Sequence, residues 1–222
     1  MLRVGLTGGL GSGKSTAAEL FRAHGAVVLS SDEIGRALME PGERVFAEIV
    51  EHFGPGVVGA DGRLDRPALA RIAFDRSSEG GGRVAELNAI VHPAVIARQE
   101  ELCAEIAARD PQAVVVVESA LIFETEHGGG GGWRRRFDRV VLVTAPEEVR
   151  IGRFVERMAR GRVLAAEERE ALEAEARRRI AEQIPDEQKS EQCDYVLVNG
   201  GTRQELEWQV DQLWPIVKAA AQ

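Results

Sequence analysis

The chain has 222 residues, enough to bury a substantial core in one domain with appendages. Hydrophobic residues make up 44% and charged residues 29%, which excludes a disordered chain, and no apolar run is long enough for a membrane helix. The formal net charge of −8 excludes duplex nucleic acid as the main partner, because neutralising phosphates requires a basic face.

The N-terminus and the cysteines both predict a cytoplasmic protein. The first residues run directly into a strand-like segment, without the basic region, apolar core and cleavage site of an export signal. Cys103 and Cys193 are far apart and have no neighbouring metal ligands, which argues against a zinc site or a disulfide framework. We expect both cysteines to be buried, small hydrophobic side chains in a reducing compartment.

Short apolar segments alternate with helical patterns along much of the chain. The predicted strands cover residues 2–7, 26–30, 113–117, 139–144 and 195–198. A helix is predicted from Ser15 to His24, and an amphipathic helix from Thr202 onward. Strands that alternate with helices predict an α/β fold with a doubly wound parallel sheet.

Two mainly helical segments are predicted to be appendages of the sheet. Residues 31–111 are interrupted by several turn signals and by Pro93, and are too long for one crossover, so we expect a helical insertion. Residues 146–190 are predicted to form a helical lid, whose first helix begins at Pro146. The glycine tract Gly128–Gly132 is predicted to be a surface loop without a chemical role. The predicted nucleotide-binding core of this single domain comprises residues 1–30, 112–145 and 192–222.

Residues 8–15, Gly-Gly-Leu-Gly-Ser-Gly-Lys-Ser, fit the G-x-x-x-x-G-K-[ST] pattern of a phosphate-binding loop between a strand and a helix. Glycines allow successive backbone N–H groups to turn toward the phosphates, and the helix N-terminus adds its positive dipole. Lys14 is predicted to be a catalytic residue that reaches the β- and γ-phosphates of ATP, and Ser15 to ligate Mg²⁺. The alternative is a glycine-rich turn needed only for packing. The predicted ATP-binding residues of the loop are Gly9, Gly11, Ser12, Gly13, Lys14, Ser15 and Thr16.

Two carboxylates follow predicted strands, where ligands bind in α/β sheets. Asp32 comes just after the second strand, and we expect it to be a catalytic residue that aligns the acceptor hydroxyl for attack. Its alternative role is to cap the following helix. Glu118 follows the third apolar run, and two roles stay open: a place near Mg²⁺ or substrate, or a solvated charge.

A phosphate-binding loop alone does not distinguish kinases from other nucleotide-binding proteins. Residues 32–35 match the D-x-x-G of a GTPase switch, but the chain has no N-K-x-D for guanine, so we attribute the match to chance. A small-molecule kinase is favoured. The alternatives are a different metabolite kinase and, from another class, a regulatory protein that uses ATP binding as a switch.

Several separate segments resemble the dephospho-coenzyme A kinase family. Residues 5–16 resemble the opening of that family, including a Leu-Thr-Gly-Gly that other phosphate-binding loops need not share. The other similar segments are residues 31–36 (D-A-D-x-I-x-R), 40–42 (E-P-G), 87–93 (L-x-x-I-x-H-P), 121–124 (L-L-F-E), Arg153 with Arg157, Arg179 with Gln183, and Asp194 followed by Asn199. Ser30 departs from the pattern, because the family usually has an aspartate there.

The resemblance implies phosphorylation of the ribose 3′-hydroxyl of dephospho-coenzyme A by ATP, the last step of coenzyme A synthesis. It implies that Asn199 contacts the adenine, although Asn199 could instead be a turn residue. Arg153 and Arg157 are four residues apart on one helix face, so both can bind phosphate, with Arg157 as a catalytic residue. Their alternative is a solvated, arginine-rich helix face.

Four residues are expected to bind the acceptor substrate: Asp32, Arg36, His92 and Leu121. For His92, which precedes Pro93, we prefer a partly buried histidine that fixes a helix junction, and direct contact with the substrate stays open.

Overall fold

The computed structural model describes residues 1–74, 82–124 and 132–221. Of the glycine tract, residues 128–131 lie outside these ranges, so its predicted loop is not described. The chain divides into a sheet unit (Met1–Leu29 and Ile106–Gln222) and a helical unit (Ser30–Glu105). Within the described ranges, none of the helices combines the length and the apolar character that crossing a membrane requires.

The sheet has five strands in the order β2-β3-β1-β4-β5. The strands are β1 (Leu2–Thr7), β2 (Val27–Ser30), β3 (Val114–Glu118), β4 (Arg139–Thr144) and β5 (Tyr195–Val198). β1 pairs in parallel with β3 and β4, and β4 pairs in parallel with β5. β1 and β3 are almost continuously apolar because strands buried on both faces of a parallel sheet have no solvent side. The α/β fold with a doubly wound parallel sheet is therefore confirmed.

Helices cover the sheet and extend from it within the sheet unit. They are α1 (Lys14–Ala23), α6 (Trp133–Arg136), α7 (Glu147–Ala159), α8 (Ala166–Ala181), α9 (Asp186–Ser190) and α10 (Arg203–Ala219). Phe21 of α1 and Leu206 of α10 belong to the same core as the strand residue Val4. α7 and α8 pack on each other through a second cluster that includes Phe154 and Ala176.

The helical unit has its own core. Its helices are α2 (Ser31–Leu38), α3 (Arg44–Phe53), α4 (Arg66–Phe74) and most of α5 (Val84–Arg109), with a 3₁₀ helix at Pro55–Val57. Ile49, Val57 and Leu69 are fully or almost fully buried in this core.

The predicted helix break at Pro93 is wrong, because α5 continues through this residue. A proline inside a helix removes one hydrogen bond to the carbonyl four residues earlier. Pro93 and Ala89 are both exposed, so water can satisfy that carbonyl. Two turns further on, Gln99 is buried and donates through Nε2 to Ser31 Oγ at 2.8 Å, which helps to keep the helix in place.

Candidate nucleotide-binding site

The loop between β1 and α1 adopts a conformation that favours glycine. Gly11 and Gly13 have φ angles of 71° and 91°, in the left-handed region that L-residues rarely adopt. A Cβ atom on Gly13 would also lie 2.0 Å from Nδ2 of Asn199. Glycine is therefore required here both by the turn and by the packing of the protein itself.

Lys14 and Ser15 lie at the start of α1, where the helix dipole is positive. Lys14 Nζ donates to the carbonyl oxygen of Gly8 at 2.7 Å, so the ammonium group folds over the loop. Ser15 Oγ donates to Glu118 Oε1 at 2.7 Å, and this bond connects the start of α1 to the end of β3. Glu118 thus has a side-chain partner in the phosphate-binding loop.

The donor set at Ser15 and Glu118 fits Mg²⁺. Both side chains offer oxygen atoms, and Mg²⁺ in nucleotide sites is held by one or two protein oxygens together with phosphates and water. In the part of the chain that the structure describes, no group of three or more His, Cys, Asp or Glu side chains forms a cage for a metal. The hydroxyl and carboxylate therefore suit a nucleotide-bound Mg²⁺ ion.

Arg153 and Asn199 lie against the same loop from two other elements. Asn199, just after β5, is buried and donates through Nδ2 to the Ser12 carbonyl oxygen at 2.9 Å. Arg153 of α7 donates to Asn199 Oδ1 at 3.3 Å and to the Gly11 carbonyl oxygen at 3.4 Å. The structure thus brings both residues to the loop, while the adenine contact of Asn199 stays a prediction.

Arg157 lies apart from this network. Its side chain is exposed on α7, and its guanidinium carbon lies 5.7 Å from the ring centroid of Phe154. Among the described residues it makes no hydrogen bond or ion pair. The geometry leaves its predicted catalytic role open.

The remaining predicted site residues lie elsewhere. Asp32 and Arg36 are exposed on α2, and His92 is half-buried in α5, all in the helical unit. Leu121 follows β3 in the sheet unit and has 37% of its surface exposed.

Asp32 is not the residue that caps α2, which was its alternative role. The N-cap is Ser30, whose hydroxyl accepts a hydrogen bond from the Glu33 backbone N–H at 3.3 Å. Serine is a favoured N-cap residue, so Ser30 can perform a structural role at the position where the family usually has an aspartate. Among the described residues, the Asp32 carboxylate makes no hydrogen bond or ion pair.

A family model described as dephospho-CoA kinase matches residues 2–205. This chain belongs to the dephospho-CoA kinase family. It is similar to the dephospho-CoA kinase of Corynebacterium efficiens, with 38% identity over 213 residues that cover 96% of each chain. It is also 38% identical to the dephospho-CoA kinase of Thermobifida fusca over 214 residues, covering 96% of this chain and 95% of the relative. The chain is also similar to the crystal structure of TT1252 from Thermus thermophilus, with 34% sequence identity and a TM-score of 0.70. The match covers 97% of each chain.

Arg150 also contacts the phosphate-binding loop of this dephospho-CoA kinase family member, although it was not predicted from the sequence. Arg150 lies one turn before Arg153 on α7, and its Nε donates to the Leu10 carbonyl oxygen at 2.9 Å. The other side of Leu10 is bound by Gln183, which was noted only as part of a motif. The arginine spacing in α7 was the one signal that could have indicated Arg150, because it places a third arginine close to the predicted pair.

An ion pair of a buried lysine was also missed. Lys189 of α9 is completely buried, and its Nζ lies 3.2 Å from Oε1 of Glu124, the last residue of the L-L-F-E segment. Lysine is rarely buried in full, so its residue type alone predicted the opposite.

Proposed function

We propose that this chain transfers the γ-phosphate of ATP to the ribose 3′-hydroxyl of dephospho-CoA, yielding CoA and ADP. The observation that carries the proposal is the hydrogen bond between Ser15 and Glu118, within a complete phosphate-binding loop of a dephospho-CoA kinase family member. The bond joins a hydroxyl and a carboxylate, and the hydroxyl residue directly follows Lys14, which we propose contacts the phosphates. We place the reaction in the cytoplasm.

The loop would bind the phosphates through its backbone N–H groups and through Lys14. Lys14 Nζ would exchange carbonyl oxygens of the loop, among them those of Gly8 and Gly9, for phosphate oxygens bound at the same loop. Ser15 would ligate Mg²⁺, with Glu118 beside it. When bound, Mg²⁺ would neutralise charge on the β- and γ-phosphate oxygens.

The acceptor would be bound by Asp32, Arg36, His92 and Leu121. Asp32 is proposed to accept a hydrogen bond from the acceptor hydroxyl and so to orient its oxygen for attack. Its carboxylate is exposed and is not used to cap α2, which agrees with such a role. Arg157 is proposed to add positive charge in the transition state, and Arg153 and Asn199 to complete the nucleotide site.

We also propose one kinase domain with three parts. Residues 1–30, 112–145 and 192–222 would form the nucleotide-binding core, residues 31–111 the substrate-binding insertion, and residues 146–190 the lid segment.

The experiment that tests the function is a coupled ADP-release assay with ATP and Mg²⁺. The acceptors are dephospho-CoA, AMP, GMP, shikimate and adenosine, supplied one at a time. We expect turnover with dephospho-CoA and at most trace turnover with the others. Higher turnover with another acceptor would favour a different metabolite kinase, and turnover with none would favour a nucleotide-dependent switch protein.

An Asp32→Asn variant then separates catalysis from binding. The amide keeps the size of the side chain but removes the negative charge that orients the hydroxyl. We expect turnover to fall by at least about 100-fold, while ATP affinity stays within about threefold of the parent. The matched control is Glu33→Gln, which makes the same change of carboxylate to amide at the exposed neighbour of Asp32 on α2. Parent-like turnover of Asp32→Asn would remove Asp32 from the mechanism.

A further inference from the structure

Leu10 of the phosphate-binding loop is held by the lid segment. Its backbone N–H donates to Gln183 Oε1 at 2.9 Å, and its carbonyl oxygen accepts from Arg150 Nε at 2.9 Å. Its side chain packs against the apolar cluster of α7 and α8, which includes Phe154. The backbone donor, the backbone acceptor and the side chain of Leu10 therefore all have partners in the lid segment.

The charge of Arg150 is already compensated within the protein. The residue is only 7% exposed, and its Nη1 lies 3.3 Å from Asp186 Oδ2. The same Asp186 oxygen accepts a hydrogen bond from Thr144 Oγ1, at the end of β4, at a distance of 2.5 Å. The remaining nitrogen, Nη2, donates to Gln183 Oε1 at 3.4 Å. The guanidinium group is thus shared among three partners and is not directed at solvent.

The glycines of the loop leave room for this arrangement. A Cβ atom on Gly9 would lie 2.1 Å from Arg150 Nη2 and 2.8 Å from Gln183 Oε1. A Cβ atom on Gly11 would lie 2.3 Å from the backbone oxygen of Arg150. At Gly11 the close atoms belong to the backbone, so a side chain there would force the loop away from the lid segment. At Gly9 a side chain would displace the ends of the Arg150 and Gln183 side chains.

We infer that Arg150 and Gln183 are positioning residues that fix the backbone of Leu10, and through it the direction of the loop N–H groups that receive phosphate. The inference rests on the proposed function. A buried, hydrogen-bonded arginine with a carboxylate partner is suited to hold a loop. To bind a phosphate instead, Arg150 would first have to break its bonds to Asp186 and Leu10. Positioning matters because a displacement of about 1 Å at a reacting group can cost about 100-fold in rate.

The test uses Gln183, because its oxygen accepts from both Leu10 and Arg150. Gln183→Glu keeps an acceptor of the same size, whereas Gln183→Met keeps the length and removes the acceptor. The matched control is Gln188→Met, which changes an exposed glutamine in the same lid segment. We measure hydrogen exchange of the Leu10 amide in the ligand-free protein, ATP affinity by titration, and kcat/KM for ATP and for dephospho-CoA.

We expect Gln183→Met to speed exchange of the Leu10 amide by at least about tenfold and to lower kcat/KM for ATP by about 10- to 100-fold. The effect on KM for dephospho-CoA should be smaller. Gln188→Met should stay within about threefold of the parent in every measurement, whereas Gln183→Glu, which keeps the acceptor, should exchange the Leu10 amide more slowly than Gln183→Met. The difference between the Met and Glu variants distinguishes positioning from a loss of stability alone, because both variants preserve the volume of the side chain.

The inference is overturned if Gln183→Met matches Gln188→Met in exchange and in ATP affinity. If Gln183→Met does not fold, Gln183→Ala repeats the test without adding an apolar group. A parent protein that lacks turnover with dephospho-CoA would refute the proposed function, while the exchange and ATP-titration results would still decide the roles of Gln183 and Leu10.

Discussion

The hydroxyl of Ser15 donates to Glu118 Oε1 at 2.7 Å, between the start of α1 and the end of β3. The two residues are 103 positions apart in the sequence. From the sequence alone, Glu118 could have either a role in the site or that of a solvated charge. The observed partner supports the site role. A carboxylate next to a metal-ligating hydroxyl can orient that hydroxyl and bind the water molecules around Mg²⁺.

Glu118→Gln should raise the Mg²⁺ concentration needed for half-maximal turnover by about 10- to 100-fold, because the amide carries no charge to attract the ion or its water shell. Turnover at saturating Mg²⁺ should fall less. The measurement is the Mg²⁺ dependence of the coupled assay, with exposed Glu207→Gln of α10 as the control. An unchanged Mg²⁺ dependence would return Glu118 to the role of a solvated charge.

Arg157→Ala should lower kcat by a factor on the order of 10³ and weaken ATP binding only slightly, as expected for charge supplied in the transition state. The exposed guanidinium group contacts the Phe154 ring and has no ion-pair partner among the described residues, so nothing in the described structure requires it. Arg157→Lys should recover part of the rate, because lysine keeps the charge but lacks the planar fork. Steady-state kinetics with dephospho-CoA and nucleotide titrations provide the measurements.

Arg177→Ala is the control for this experiment, since Arg177 is also an exposed arginine of the lid segment and forms surface ion pairs with Glu148 and Glu173. A kcat within about twofold of the parent for both Arg157 variants would show that this arginine is a solvated surface charge.

Glu124→Gln should lower the free energy of unfolding by about 3 kcal/mol, because it leaves the fully buried Lys189 ammonium without its charged partner. Lys189→Met together with Glu124→Gln should recover most of that loss, since neither residue then carries a charge. Urea denaturation of the parent, the single variants and the double variant measures the coupling between the two positions. Strictly additive effects would mean that the 3.2 Å approach of Nζ to Oε1 contributes no stability.

The stability of the folded protein should decrease at acid pH, in part because of Glu86 in the helical unit. Hydrogen bonds from Arg83 and then from His52 lower the pKa of Glu86 from 4.5 to about 2. A carboxylate with a lowered pKa in the folded state stabilises the protein above the unfolded value of 4.5, and this stabilisation is lost as the pH falls toward 2. Glu86→Gln should therefore be less stable than the parent above pH 4.5, and the difference should shrink to zero near pH 2.

Urea denaturation at a series of pH values gives this difference directly. Exposed Glu51→Gln in α3 is the control, and its stability should follow the parent curve at every pH. A constant difference between Glu86→Gln and the parent down to pH 2 would contradict the assignment.

The sheet and the phosphate-binding loop could be predicted because their signals are local. The apolar, β-branched runs gave all five strands with boundaries within one residue, and the loop pattern is contiguous between Gly8 and Ser15. The break at Pro93 was wrong for the opposite reason. A local rule about proline was overridden by the rest of a 26-residue helix, in which most residues keep their hydrogen bonds.

The partners of the loop could not be predicted in the same way. Arg150 and Gln183 reach Leu10 from positions 140 and 173 residues away, and no local pattern encodes such a contact. Lys189 is similar, because burial of a lysine depends on the elements that surround it and not on its neighbours in sequence.

The central place of β1 in the sheet has a consequence for the order of events during synthesis. β1 is translated before the other strands, but the residues that pair with it begin at Val114 in β3 and at Arg139 in β4. At about 5–20 residues per second, a ribosome needs about 7–26 s to add the residues between Thr7 at the end of β1 and Arg139. Until Arg139 has been added, β1 lacks its β4 partner, and the side chains that bind the loop backbone from Arg150 to Asn199 have yet to be translated. ATP binding should therefore appear only after Asn199 has been translated, so that chains truncated before Asn199 bind no nucleotide.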